Sequence, residues 1–109
     1  MRAMKIRVED HVKFQPEKLA KIALAGTGRF QLDLYCVAPG QAQKPHTHEA
    51  QDKVYYVVRG AGRFSLAGKE ETVGEGEALV APAGVEHGLV NEGRNPLVVL
   101  VLVAPPPTH

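Results

Sequence analysis

From Phe30 to Cys36 the chain alternates with a period of two: Phe30, Leu32, Leu34 and Cys36 interleave with Arg29, Gln31, Asp33 and Tyr35. Side chains on a β-strand leave opposite faces in turn, so this alternation predicts a strand with one face in a core. The Gly26-Thr27-Gly28 stretch before it has the composition of a hairpin turn, which makes the preceding segment its partner. In that segment, QPEKLAKIALA (15–25), Pro16 suits a first helical position and Leu19, Ile22 and Ala23 share one helical face. With a hairpin turn directly behind it, the segment is read as one helical turn followed by a strand.

Beyond residue 38 turn residues recur as punctuation. Pro39-Gly40, Gly60-Ala61-Gly62, Gly68, Gly74-Glu75-Gly76, Pro82-Ala83-Gly84, Asn91-Glu92-Gly93 and Asn95-Pro96 separate short runs rich in Val, Leu, Tyr and Phe. Strands spaced by about 8 to 12 residues with turn signals between them predict an all-β sandwich or barrel. The last run, Leu97 to Ala104 (LVVLVLVA), has no polar face at all. Such a strand needs cover on both sides: a barrel interior on one, and on the other a second subunit or the N-terminal arm of its own chain. The second subunit is preferred, so a homodimer is expected.

Composition narrows the classes. The chain has 109 residues, a length for one domain, with 13 basic against 12 acidic side chains and a net charge of +1. No block of like charge occurs, which argues against nucleic acid as a partner, since a surface for it concentrates Lys and Arg. Cys36 is the single cysteine, so no internal disulfide is expected. The opening MRAMKIRVEDH carries charges where a secretion signal needs an apolar run, and 97–104 falls far short of the roughly 20 residues that cross a bilayer as a helix. A cytoplasmic protein with no membrane partner is the expectation. One domain is expected over 1–109, with its core at about 14–104 and the Pro-rich end 105–109 as a tail in polyproline conformation.

The first candidates for chemistry are His46 and His48. On a strand, residues i and i+2 leave the same face with Cα atoms about 6.6 Å apart, so both imidazoles can converge on one metal ion at about 2.0–2.2 Å. A helix would splay them apart. The competing reading is of core histidines satisfied by hydrogen bonds. A second group follows: Gly76, Pro82, Gly84, His87 and Asn91.

With these residues the sequence resembles the cupin family. Its first motif runs Gly, five residues, His-x-His, three or four residues, Glu, six residues, Gly, and its second runs Gly, five, Pro-x-Gly, two, His, three, Asn. Gly40, His46, His48 and Gly60 fit the first at its longer spacing, and Gly76, Pro82, Gly84, His87 and Asn91 fit the second throughout. The short stretch between Gly60 and Gly76 is similar to the loop of small bacterial cupins. The resemblance implies a double-stranded β-helix, a jelly-roll-like barrel, with His46, His48 and His87 inside its open end. In such a barrel Pro82 and Gly84 form the turn that aims the next strand, on which His87, Leu89 and Asn91 share one face. Three imidazole nitrogens then leave positions open for water or substrate, and the implied cofactor is a divalent transition metal: iron, manganese, nickel or zinc.

At the position of the family's glutamate this chain has Lys53. An inward ammonium about 5 Å from a divalent cation is repelled by several kcal/mol even at an effective dielectric near 20. Three resolutions stay open. The metal sits on three histidines alone, with Lys53 turned to solvent or deprotonated. Alternatively a bulge turns the neighbouring Asp52 inward as an oxygen ligand, or Gln51 supplies an amide oxygen. In the third, metal is absent and Lys53 is itself a base or an anion anchor. The three-histidine site is preferred, with Asp52 as its supplement.

Tyr55 shares the parity of Lys53 and can hydrogen-bond a substrate, although plain barrel packing accounts for it as well. Cys36 is read as a small apolar core residue, Glu86 as a surface charge, and His11 and His109 as solvent-exposed. The resemblance implies an enzyme acting on a small organic substrate at the metal, by dioxygenase or by isomerase and cyclase chemistry, with Lys53 or Tyr55 orienting an anionic oxygen. The alternative is a non-catalytic module that binds a small ligand, its metal structural or absent.

Overall fold

A computed structural model describes residues 3–107; His109 lies outside them. The punctuated runs fold as strands β1 (Ala20–Gly26), β2 (Gln31–Val37), β3 (Ala42–His46), β4 (Asp52–Arg59), β5 (Ala61–Leu66), β6 (Lys69–Gly74), β7 (Ala78–Ala81), β8 (His87–Val90) and β9 (Leu97–Ala104). They form two antiparallel sheets, ordered β1-β2-β9-β4-β7 and β3-β8-β5-β6, which close on each other as the expected double-stranded β-helix. Among the described residues no helix is long and apolar enough to cross a membrane.

The wholly apolar run is explained by its place. β9 is the middle strand of the five-stranded sheet, paired with β2 from Leu97↔Val37 to Val103↔Gln31 and with β4 from Val98↔Arg59 to Ala104↔Asp52. Leu97, Val99, Val101 and Val103 pack into the barrel with Tyr55, Val57, Phe64 and Leu89. Val98 and Leu100 face the other way, into a layer formed with Val8, Val12 and Phe14 of the N-terminal arm. The arm thus covers part of the outer face, while Leu102 at the far end of β9 stays 37% exposed. Burying a Val or Leu side chain contributes roughly 1.5–3 kcal/mol, so a central strand apolar on both faces anchors both layers.

Two local expectations change. The alternation on β2 leads to two buried faces instead of one: Leu34 and Cys36 enter the outer layer, and Tyr35 and Val37 enter the barrel. The parity that looked polar in the sequence is therefore the one facing the interior. The helical turn lies at Val8–His11 as a 3-10 turn, and residues 16–18 only bend. Leu19 is already part of the barrel core and Ala20 of the outer layer, so strand alternation begins where the helix was expected. At the other end the proline tail does not run free, because Pro107 lines the cavity at the barrel mouth.

Asn91 fastens the two sheets together. Its buried side-chain amide donates to the carbonyl of Val37 at the end of β2 and to that of Asn95 before β9, both at 2.9 Å, and its oxygen accepts from the Gly93 N–H at 3.0 Å. Its backbone pairs with Gly40 and Gln41 beside β3. Replacing it strands buried carbonyls, each costing about 1–3 kcal/mol. Asn91→Ala is expected to lower the unfolding free energy by about 3 kcal/mol, read from urea denaturation at pH 7.

Candidate metal centre

β3 and β8 carry two of the three histidines, and their pairing sets the geometry. The register runs Ala42↔Val90 and Gln43↔Leu89, then shifts so that His46 faces His87. Three steps on β3 therefore match two on β8, a bulge that takes up Lys44 and Pro45. Strand residues three apart project from opposite faces, and one extra residue reverses that. The bulge is what lets both Gln43 and His46 line the interior. Pro45, with no N–H to contribute to the ladder, fits such a place. Beneath it lies Gly88, where a Cβ would come within 2.8 Å of the Gln43 oxygen and of the Pro45 nitrogen. Only glycine lets the bulge sit down on β8.

His48 is placed differently from the expectation that it shares a strand with His46, since β3 ends at His46. Its loop is clamped by the turn of the second motif, where the Gly84 N–H donates to the His48 carbonyl at 2.9 Å and the Val85 N–H closes the turn on Pro82 at 3.1 Å. Gly84 has φ +83°, a conformation glycine adopts at little cost. The ring centroids lie 4.4 Å apart for His46 and His87, 4.6 Å for His46 and His48, and 5.5 Å for His48 and His87. Nitrogen atoms of all three approach within 4.8 Å of one another, a group that can hold a metal ion.

The hydrogen bonds select the nitrogen that faces the centre. Nδ1 of His46 lies 2.9 Å from the Lys44 carbonyl and Nδ1 of His87 lies 3.0 Å from the Val85 carbonyl. A carbonyl only accepts, so each Nδ1 carries the proton and each Nε2 presents a lone pair. Nε2 of His87 is buried and has no hydrogen-bond partner among the described residues. A buried polar atom left bare is costly unless something outside the chain binds it. Burial is also the main force pushing the His87 pKa down to about 4, against the Val85 carbonyl, with the charges of Lys53, His46 and His48 adding to it. Burial, then His46, Lys53 and Lys21, lowers that of His48. Neutral imidazoles are the ligating form at neutral pH.

Lys53 points inward. It is 3% exposed, with Nζ 5.2 Å from the centroid of the Tyr35 ring and 5.1 Å from that of Tyr55, so the placement in solvent is excluded. Burial, and next Lys21, bring its pKa down to about 8 while Asp33 opposes. Asp52 stands on the outer side of β4, exposed, where Oδ1 accepts the Ala83 N–H at 2.9 Å. The register of β4 against β9 is unbroken from Asp52 to Val57, so no bulge turns Asp52 inward, and it is not among the clustered ligand groups. Its task is to hold the turn that clamps His48. Gln51 lines the cavity.

Tyr55 is fully buried, and its hydroxyl donates to Oε1 of Gln43 at 2.8 Å, with Gln43 Nε2 donating to the Tyr35 hydroxyl at 3.5 Å. Burial raises the pKa of both tyrosines, that of Tyr35 to about 12. The Tyr55 hydroxyl is thus already engaged within the barrel. Sequence reasoning did not reach Tyr35, Gln43, Asp33, Gln31 and Lys21, which line the cavity of about 330 Å³ with His46, His48 and Lys53. The polar parity of β2 was the signal for Asp33 and Tyr35; Gln43 had none, because its facing depends on the bulge.

Two sheets closed over a histidine cluster at one end define a small barrel of the double-stranded β-helix class. The chain belongs to the cupin family, whose model, described as "Cupin domain", matches residues 33–103. A crystal structure from Thermus thermophilus is similar at 42% identity with a TM-score of 0.91, covering 95% of this chain and all of that one. A mannose-1-phosphate guanylyltransferase of Klebsiella pneumoniae is 34% identical over 68% of this chain, which spans only 16% of that protein's length. The oxalate-binding protein of Thermotoga maritima is 29% identical over 60% of this chain and 54% of its own.

The depressed His87 pKa carries a stability consequence. Unfolded, this imidazole takes up a proton below about pH 6.5, and folded only below about 4, so stability falls as pH drops through that window. In metal-free protein the wild type should lose on the order of 2–3 kcal/mol more than His87→Leu between pH 7 and pH 4, measured by denaturant unfolding. Equal losses would mean that His87 is not buried in its neutral form.

Proposed function

We propose that His46, His48 and His87 bind one divalent transition metal through Nε2, and that the protein is an enzyme acting on a small organic molecule in the adjoining cavity. The observation that carries this reading is the bare, buried Nε2 of His87, aimed at its neighbours while Nδ1 is committed to Val85. Iron, manganese, nickel and zinc all suit three neutral imidazoles. Such an ion supplies either dioxygen activation or polarisation of a carbonyl or enediol, the chemistry of dioxygenases or of isomerases and cyclases. The chain's residues supply the rest. The Lys44 and Val85 carbonyls orient the ligating rings, Gly84 holds the loop of His48, and Val103 supplies an apolar part of the cavity lining. A second reading, a non-catalytic binding module, is favoured by the Tyr55 hydroxyl being engaged with Gln43, which withdraws it from contact with a substrate.

Untagged protein purified without chelator should contain about one transition metal ion per chain by plasma mass spectrometry, and His87→Ala should contain at least tenfold less. No metal after reconstitution at pH 7.5 would overturn the metal reading. Exchange of bound water at the loaded site by added small acids, followed by relaxation of a manganese-loaded sample, separates an open centre from a closed structural one.

A homodimer belongs to the same proposal. The register places Val54 between Leu102 and Val80, and Leu102 and Val80 are 37% and 55% exposed on the outer face the N-terminal arm leaves bare. A twofold contact of this face with a second copy supplies the missing cover. Sedimentation should give a dimer for the wild type and a monomer for Val80→Lys.

A further inference from the structure

We infer that the cavity beside the three histidines is a subsite for a small organic carboxylate, with the carboxylate held by Lys53 and Lys21 and the rest of the molecule reaching toward the histidines. The inference rests on the proposed function only for that second contact. Its main support is Lys53, a side chain only 3% exposed that lines the cavity and, among the described residues, has no carboxylate within 4.0 Å and no hydrogen-bond acceptor. It is flanked by the aromatic faces of Tyr35 and Tyr55. A cation withdrawn from water is costly without a close counter-charge, and Asp33, the acid lining the same cavity, makes no ion pair with Lys53 within 4.0 Å.

Lys21 adds a second cation on the same wall, with Nζ 5.3 Å from the centroid of the Tyr35 ring that Lys53 also approaches. The acid lining this cavity is Asp33, and both its oxygens accept from the amide of Gln31, at 3.1 and 2.9 Å. Two lysines against one aspartate leave the lining at +1 with neutral histidines. The polar groups agree with the charge. The Tyr55 hydroxyl donates to Gln43, so the donors the cavity offers a ligand include the two ammonium groups, the Tyr35 hydroxyl and the Gln51 amide. Such a wall selects an acceptor-rich, negatively charged molecule. The volume of about 330 Å³ lies at the small end of ligand pockets, which fits a compact acid and not a polymer.

The test is calorimetric titration of oxalate, malonate and succinate, with malonamide as neutral control, into metal-loaded and metal-free protein in chloride-free buffer. At least one diacid should bind the wild type with a stoichiometry of one, and malonamide at least tenfold more weakly. Lys53→Met should weaken the diacid tenfold or more with the metal content unchanged, and Lys21→Met, at an exposed position that folding does not depend on, several-fold. Lys53→Glu should abolish diacid binding and tighten metal binding. Wild-type protein that binds none of the three diacids overturns the subsite, as does undiminished binding by both Lys53→Met and Lys21→Met. Binding that needs metal but ignores both lysines overturns the subsite while leaving the metal reading intact. Lysine-dependent binding in a protein that takes up no metal does the reverse.

Discussion

The seating of β3 on Gly88 is the constraint on which the site depends. The interior of a small barrel admits only one parity from each strand, and Gln43 and His46 belong to opposite parities. One extra residue at Lys44-Pro45 reconciles them, and the bulge fits only where β8 offers no Cβ. From that contact follow the face-to-face placement of His46 and His87 and the inward amide that joins Tyr55 to Tyr35. A methyl group at residue 88 meets backbone atoms, which cannot rotate away as a side chain would. The bulge, the histidine pair and the tyrosine link therefore stand or fall together.

The second half of the site is held by the turn at Pro82–Val85. It donates two backbone N–H groups outward: that of Gly84 to the carbonyl of His48, and that of Ala83 to the carboxylate of Asp52. Thus the acid next to Lys53 works on the outside of the barrel, fixing the turn that fixes the loop that carries His48. This explains how an aspartate can lie one residue from the inward position and contribute no ligand. Strand alternation sends the two side chains to opposite faces, and each face has a use for its own.

Much of the fold was legible because its signals are local. Turn residues at regular intervals and a strand without a polar face require only the neighbouring sequence, and they led to an all-β sandwich or barrel and to a last strand covered on both sides, while the double-stranded β-helix came with the resemblance carried by the two motifs. The three histidines were legible through the two motifs that space them. What stayed hidden depends on pairing. Whether Tyr35 or Leu34 faces the barrel is decided by which layer lies on which side of β2, and both layers here are apolar. The N-terminal arm, whose Val8, Val12 and Phe14 carry no distinctive pattern, takes Leu34 and Cys36 and leaves the interior to Asp33 and Tyr35. Gln43 was unreadable because its facing is reset by a bulge. Gly88 was invisible for the same reason, since its backbone conformation is ordinary and its value lies in what lies above it.

The charge balance of the site follows from how its ligands are oriented. In metal centres a carboxylate often orients a histidine and also offsets the ion's charge. Here backbone carbonyls of Lys44 and Val85 do the orienting, so the arrangement brings no negative charge to the three neutral rings. Asp33, the acid that shares their cavity, accepts from Gln31, and a lysine takes the inward place where the family pattern has glutamate. A divalent ion at the histidines and the Lys53 ammonium would then share a cavity whose lining acid, Asp33, is engaged with Gln31. At an effective dielectric near 20 their repulsion amounts to several kcal/mol, of the same order as what an anion set between them regains. On the proposed reading, such a barrel favours an acidic ligand, and the lysine at position 53 moves the negative charge from the protein to the molecule it binds.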